Sequence, residues 1–338
     1  MTRRAVRAAP ALAALAPGGC AGIQSALDPA GPVAGRILTL TVVLTALGAL
    51  GFAVFFAALF YGLFRRRRPD EMDPDPTPEA DRRSTRWIVA AGVVFPVVVL
   101  VPVLLFTFRT LGANDPRALG ADLEVEVVAK QWWWEIEYRD PVAQRRFETA
   151  NELHVPVGRR VRLVLRSDDV IHSFWVPSLA GKTDLIPGRR NVAWIQADRA
   201  GVYRGQCAEY CGLQHAHMAF VVVAEPEADF ERWAARQRAP APEPATPLAA
   251  AGREVFMDRG CQLCHAVGGT PARGELGPDL THLASRLTLA AGTLANTRGH
   301  LGGWILDPQA AKPGNRMPRV PLTSEEFHAL LHYLGTLE

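Results

Sequence analysis

The chain has 338 residues, 49% of them hydrophobic and 21% charged, with 26 prolines and a formal net charge of +3. That length fits two or three domains of about 100–200 residues each, and the apolar fraction excludes a small disulfide scaffold or a disordered tail. The basic excess is too slight for a nucleic-acid binder, since the arginine runs sit beside apolar spans and only Lys130, Lys182 and Lys312 are lysines.

At the N-terminus, Arg3, Arg4 and Arg7 precede a short Ala/Leu stretch ending at Leu15, and residues 1–20 read as a signal peptide. The stretch closes on Pro17-Gly18-Gly19-Cys20. A cysteine after small residues resembles a bacterial lipoprotein site with Cys20 acylated. Pro17 stands where such sites carry Leu, so an ordinary cleaved signal is the alternative.

Residues 37–64 and 87–108 carry no charge. A helix needs about 20 residues to cross a hydrocarbon core of about 30 Å, so both runs are predicted transmembrane helices forming a hairpin. A buried helix of a soluble protein would be shorter and broken by polar residues. The loop between them, residues 65–86, holds Arg65 to Arg68, Arg82, Arg83 and Arg86, which places it in the cytoplasm by the positive-inside rule. Both ends of the chain then face the opposite, periplasmic side.

Four cysteines follow the spans, and in an oxidising compartment they invite two disulfides. Their spacing argues otherwise. Cys207, Cys211, His215 and Met218 recur at intervals of four, four and three. On a helix this would be a core stripe, but Gly205 and Gly212 flank the run and Val221 to Val223 look strand-like. A loop running into a strand fits better. Thiolates alone suit zinc or an iron–sulfur cluster, whereas a thioether added to Cys and His points to copper. A mononuclear blue-copper site uses one Cys and two His. Here there is one Cys too many and one His too few, while two bridging thiolates can hold two coppers.

Further on, Cys261, Cys264 and His265 form C-x-x-C-H, the attachment motif of a c-type haem, with His265 as one axial ligand. Met317, in Gly314-Asn315-Arg316-Met317-Pro318, is the expected sixth ligand, and His/Met ligation suits an electron carrier. Met257 is too near the motif to reach the other face of the ring. His282, His300, His328 and His332 lack ligand spacing and read as surface or packing residues. Residues 249–338 resemble a class I cytochrome c domain, with a helix over Gly252 to Gly260, a Gly277-Pro278-Asp279-Leu280 segment, and a last helix opened by Thr323 and Glu326 as a capping box.

The missing imidazole is sought in Asp169-Val170-Ile171-His172-Ser173-Phe174-Trp175-Val176-Pro177. With it come Gln131-Trp132-Trp133-Trp134 and the run from Lys182 to Arg189. On these motifs the segment from Glu124 to Glu225 resembles the CuA domain of cytochrome c oxidase subunit II, a cupredoxin-like β-sandwich expected over residues 120–235. With the two spans and the haem domain, nearly the whole chain is similar to subunit II of bacterial caa-type oxidases.

The resemblance implies that His172, Cys207, Cys211, His215 and Met218 are side-chain ligands of a dicopper centre and that Glu209 adds its backbone carbonyl. It places Asp184 and the Glu209 carboxylate near a magnesium ion facing subunit I, and Trp132 at the surface where electrons arrive. It gives His217 and His154 no ligand role. Many relatives carry a Glu just before the second span for proton uptake. Here that stretch is Arg83-Ser84-Thr85-Arg86, with Asp81 the nearest acid, and the uptake residue stays open.

The expected function is electron transfer from an external cytochrome c or other donor to haem c, then to copper, then to a haem of subunit I, where oxygen reduction and proton translocation occur. Subunits I and III are the expected partners, in a bacterial inner membrane. The Pro/Ala-rich residues 236–248 read as a linker extending about 3.1 Å per residue, or up to about 40 Å, and holding the haem at about millimolar effective concentration near the copper. Two rivals remain: a stand-alone membrane-anchored redox carrier, and a copper-delivery or sensing protein binding one labile Cu(I). A quinol-oxidase subunit would need no copper ligands.

Overall fold

A computed structural model describes residues 22–65, 78–115, 120 and 122–338. The signal-peptide reading, Cys20 and the Arg66 to Arg68 run lie outside the described residues.

Helix α1 (Pro32–Phe64) opens on a proline, whose missing N–H costs nothing in a first turn. It starts ahead of the uncharged run. Four-residue spacing stacks Phe52, Phe56, Phe60 and Phe64 along one side, with ring centroids 6.1 to 6.2 Å apart. The second span is longer than expected. Helix α2 (Pro78–Val89) already runs through the second half of the predicted loop, with Glu79 and Asp81 in its first turn, where acids suit the helix dipole. It continues through a π turn at Ala90–Val94 into α3 (Phe95–Ala113). Pro96 has no N–H to give the preceding turn, and the wider turn lets the helix pass it unbroken. Within these helices the apolar spans Pro32–Phe64 and Asp81–Ala113 are each 33 residues long, with mean hydropathy 2.4 and 2.9, and most of their apolar side chains are exposed. Such a surface is stable only against lipid or other protein.

The hairpin is fastened to the next domain. Arg36 donates to the Ala113 carbonyl at 3.1 Å and to Asn114 Oδ1 at 2.8 Å, and Trp194 Nε1 donates to the Asn114 carbonyl at 3.0 Å. The segment before α1 lies along the sandwich, with Ala30 N–H on the Ser178 carbonyl and Asp198 N–H on the Ala30 carbonyl, both at 2.7 Å.

The strands of this domain are β1 (Leu123–Lys130), β2 (Trp133–Arg139), β3 (Phe147–Ala150), β4 (Glu152–Pro156), β5 (Val161–Ser167), β6 (His172–Trp175), β7 (Thr183–Leu185), β8 (Asn191–Ile195), β9 (Gly201–Cys207) and β10 (Ala219–Glu225). They form two five-stranded sheets, ordered β3-β2-β1-β5-β8 and β4-β10-β9-β6-β7. In β2, strict alternation buries Trp134, Ile136 and Tyr138 and leaves Trp133, Glu135 and Glu137 partly exposed, as one face against a core requires. The core between the sheets includes Val127, Trp134, Leu163, Leu185 and Phe220. This is the expected cupredoxin-like sandwich.

Helix α4 (Glu227–Gln237) returns across the sandwich, stacking Trp233 flat on His154 at 3.9 Å between ring centroids. The haem domain contains α5 (Pro247–Asp258), α6 (Arg298–Leu306), α7 (Pro308–Ala311) and α8 (Ser324–Leu334). Helix α5 begins before Gly252 because Thr246 caps it and Pro247 fits its first turn. Thr323 and Glu326 form the capping box read from the sequence.

The linker docks on the haem domain. Ala241 N–H donates to the Gly268 carbonyl at 2.9 Å, and His282 Nε2 meets the Ala239 carbonyl at 3.1 Å. The segment from 238 to 246 thus lies on the haem domain instead of acting as a free spacer.

Candidate metal and haem sites

Strand β6 pairs with β9, placing Phe174 opposite Cys207, and β9 pairs with β10, placing Gln206 opposite Ala219. His172 at the head of β6 is thereby set beside Cys207 at the tail of β9. The loop from 208 to 218 folds back over both, held by Cys207 N–H on the Met218 carbonyl at 2.9 Å and Ala208 N–H on the Ser173 carbonyl at 3.0 Å.

The donors converge at this point. The Cys207 and Cys211 sulfurs are 3.7 Å apart, well beyond a disulfide bond and right for two thiolates facing one another. His172 Nδ1 lies 3.8 Å from Cys207 Sγ, and His215 Nδ1 lies 3.6 Å from Cys211 Sγ. Met218 Sδ is 3.9 Å from Cys211 Sγ, and the Glu209 carbonyl is 3.1 Å from Cys207 Sγ. His172 and Met218 are fully buried. Two thiolates, two imidazoles, a thioether and a carbonyl make a soft set that fits copper.

Hydrogen bonding and burial set the protonation of these donors. His172 Nε2 meets Asp169 Oδ1 at 2.8 Å, which puts the ring proton on Nε2 and turns the Nδ1 lone pair toward the sulfurs. Burial pushes the His172 pKa down, but Asp169 and Cys207 raise it on balance. The Cys207 thiol is held well below its usual range, because its hydrogen bond with Cys211 outweighs the cost of burial. Cys211 is pushed upward in turn. One thiolate thus forms readily, and a cation is needed to hold both. Trp134 lies beneath, edge-on to His172, Phe174 and Phe220 at 6.2, 6.1 and 5.1 Å, and these rings keep the floor dry.

Trp132 donates from Nε1 to the Cys211 carbonyl at 2.9 Å, joined there by Gln131 Nε2 at 2.8 Å. The sequence placed Trp132 at a surface, yet it is only 8% exposed. A loop of the haem domain covers it. Gly314 adopts φ +84°, and a Cβ there would come within 2.9 Å of Leu213 Cδ1. Asp184 and Glu209 meet through Lys182, whose Nζ is 3.5 Å from one carboxylate and 3.2 Å from the other on an exposed edge. His217 bonds Gln214 Oε1 at 2.9 Å, and His154 bonds Glu225 at 2.8 Å, so both are engaged elsewhere.

Cys261 and Cys264 lie on and just past one 3-10 turn (Cys261–Leu263), and His265 N–H closes that turn on the Cys261 carbonyl at 2.9 Å. His265 Nδ1 meets the Pro278 carbonyl at 2.8 Å, so Nε2 is the nitrogen that could take iron, and burial pushes its pKa down, which favours the neutral ring. A Cβ on Gly277 would lie 2.5 Å from His265 Cε1, so only glycine lets the chain pass over the ring. Cys261 and Met317 both pack against the haem-domain core that includes Phe256, Leu301 and Tyr333. This cradle fits a covalent haem.

Sequence reasoning gave no role to Asp169, Gln131 or Lys182. Asp169, three residues before His172, was visible as a potential ring partner, while Lys182 shows its role only once the loops meet.

Residues 140–225 match the family described as cytochrome c oxidase subunit II, periplasmic domain, and residues 249–338 match cytochrome c. The first of these families implies CuA copper and the second haem c. Cytochrome c oxidase subunit 2 of Alkalihalophilus pseudofirmus is 36% identical over 328 residues, covering 95% of this chain and 93% of the relative. That of Bacillus sp. strain PS3 is 33% identical over 332 residues, covering 93% and 91%. The solved periplasmic domain of subunit II of cytochrome oxidase of Bradyrhizobium japonicum is 32% identical, covers 36% of this chain and 96% of that chain, and gives a TM-score of 0.34. The chain belongs to the cytochrome c oxidase subunit 2 family, as a subunit of a haem-copper oxidase with a fused cytochrome c domain.

Proposed function

We propose that this subunit receives electrons at haem c, passes them to a dicopper centre and delivers them to the oxygen-reducing subunit I. The observation that supports it most strongly is the convergence of His172, Cys207, Glu209, Cys211, His215 and Met218 within one buried cluster, on a chain that also carries the haem motif. When bound, the copper pair and the haem each take up and release one electron.

The residues do the rest. Asp169 orients His172, and the Pro278 carbonyl orients His265, so each ligating nitrogen is aimed before the electron arrives. Cys261 and Cys264 would hold the haem through thioethers, and His265 and Met317 would ligate its iron. The strands beneath the copper ligands resist movement, and Trp134, Phe174 and Phe220 exclude water, so little rearrangement accompanies transfer. The exposed Asp184 and Glu209 carboxylates offer hard oxygens suited to magnesium at the subunit I boundary. Subunit III and an external cytochrome c are the further partners. The Arg-rich loop between the spans faces the cytoplasm and both redox domains face the periplasm.

The test is the order of reduction. In intact oxidase mixed rapidly with reduced cytochrome c, haem c absorbance should change first, copper second and the subunit I haem last. Copper reduced ahead of haem c would overturn the route.

A further inference from the structure

Lys312 is an unusual residue in this chain. It is 3% exposed, yet its Nζ reaches across from the haem domain to the Trp132 carbonyl at 2.8 Å, and also to the Ala290 carbonyl at 3.2 Å within its own domain. Burial pushes its pKa down to about 7. Even a neutral amine retains two N–H groups, matching the two carbonyls. A lysine is rarely buried without such partners.

The contacts around it form a seam. Gln214 of the copper loop donates to the Pro313 carbonyl at 2.7 Å, Ala219 N–H donates to the Ala291 carbonyl at 2.9 Å, and Glu152 accepts from the Leu287 and Thr288 N–H groups. Both redox sites border this seam. Met317 N–H donates to Asn315 Oδ1 at 2.8 Å, and Asn315 Nδ2 donates to the Lys312 carbonyl at 2.6 Å. Lys312 Nζ then donates to the Trp132 carbonyl, and Trp132 Nε1 donates to the Cys211 carbonyl at 2.9 Å. Residues and hydrogen bonds thus run unbroken from the haem's axial loop to the copper loop.

We propose that Lys312 is a positioning residue that latches the haem domain onto Trp132 and completes a fixed electron path from the Met317 loop to Cys211. The tether alone would bring the two sites near one another, whereas the latch sets one geometry. This inference rests on the haem-to-copper order proposed above. Removing the Nζ leaves the Trp132 and Ala290 carbonyls without this donor, at the cost expected for unpaired buried groups.

The experiment compares intact, metal-loaded oxidase carrying Lys312→Met or Gly314→Val with the parent. Lys312→Met keeps the side chain's length, and Gly314→Val keeps Lys312 but wedges the loop off Leu213. Hydrogen exchange at the Ala219 and Leu287 amides should quicken about tenfold in both variants, while the Trp134 amide, bonded to Asn151 inside the sandwich, stays protected. Flash reduction of haem c should then show transfer to copper slowed by about tenfold or more, with the copper EPR and haem spectra unchanged. Unaltered exchange and rate in Lys312→Met would overturn the latch. Faster exchange with an unaltered rate would overturn the path. A parent protein with no haem-to-copper transfer would instead overturn the reading on which this one rests.

Discussion

The copper and haem sites are built in opposite ways. The copper donors are aimed by sheet register: His172 and Cys207 begin and end paired strands, and the returning loop is closed by the Met218 carbonyl. The proposed haem ligands come from one short turn and from a distant Gly/Pro loop on a small helical domain, where a bound porphyrin would supply much of the apolar surface to bury. Ligand geometry is thus a property of the fold in the first domain and of fold plus prosthetic group in the second. Damage to one site should leave the other intact, and a lost strand contact should hurt copper more than haem.

The largest expected effect is at the shared sulfurs. Cys207→Ser should abolish the mixed-valence copper EPR signal while the haem absorption spectrum persists. Met317→Ala is the mirror experiment, with loss of the low-spin His/Met haem spectrum and an unchanged copper signal. An unaltered haem spectrum would mean that another residue is the sixth ligand. Trp134→Ala should destabilise the copper domain by about 3–5 kcal/mol, the usual cost of deleting a fully buried large aromatic, measured by denaturant unfolding. Asp169→Ala should weaken copper binding by about 10–100-fold, measured by chelator competition, because His172 loses the partner that fixes its tautomer.

The smallest effect is on pH dependence. Burial lowers the His154 pKa, but hydrogen bonds to Glu152 and Glu225 raise it on balance above 6.5. A histidine raised in the folded state stabilises fully below its unfolded value, and that contribution is lost as pH rises through the folded value. The thermal unfolding temperature should therefore fall as pH climbs from 6.5, and His154→Gln should flatten that part of the profile.

Much of this was legible in the sequence wherever the signal was local. The Cys, Cys, His and Met intervals pointed to a soft metal, and Cys261 to His265 pointed to a covalent haem. Thr323 and Glu326 announced a helix start that the structure reproduces. Nonlocal pairing was not legible. The place of His172 depends on strands β6 and β9 lying side by side, and no local pattern states that. Reading residues 236–248 by composition suggested an extended spacer, although Thr246-Pro247 was already a helix start. The charged stretch ahead of the second span has no apolar run to announce it, yet Pro78 followed by Glu79 and Asp81 marks a helix opening. The contact of Lys312 with Trp132 joins residues 180 positions apart and depends on how two domains meet.

Metal stoichiometry combined with EPR tests most directly whether one chain holds a copper pair and a haem together. The purified subunit should carry two coppers per haem c and show an unpaired electron shared between two equivalent copper nuclei. One copper per haem, with the ordinary tetragonal spectrum of an isolated Cu(II) ion, would contradict it.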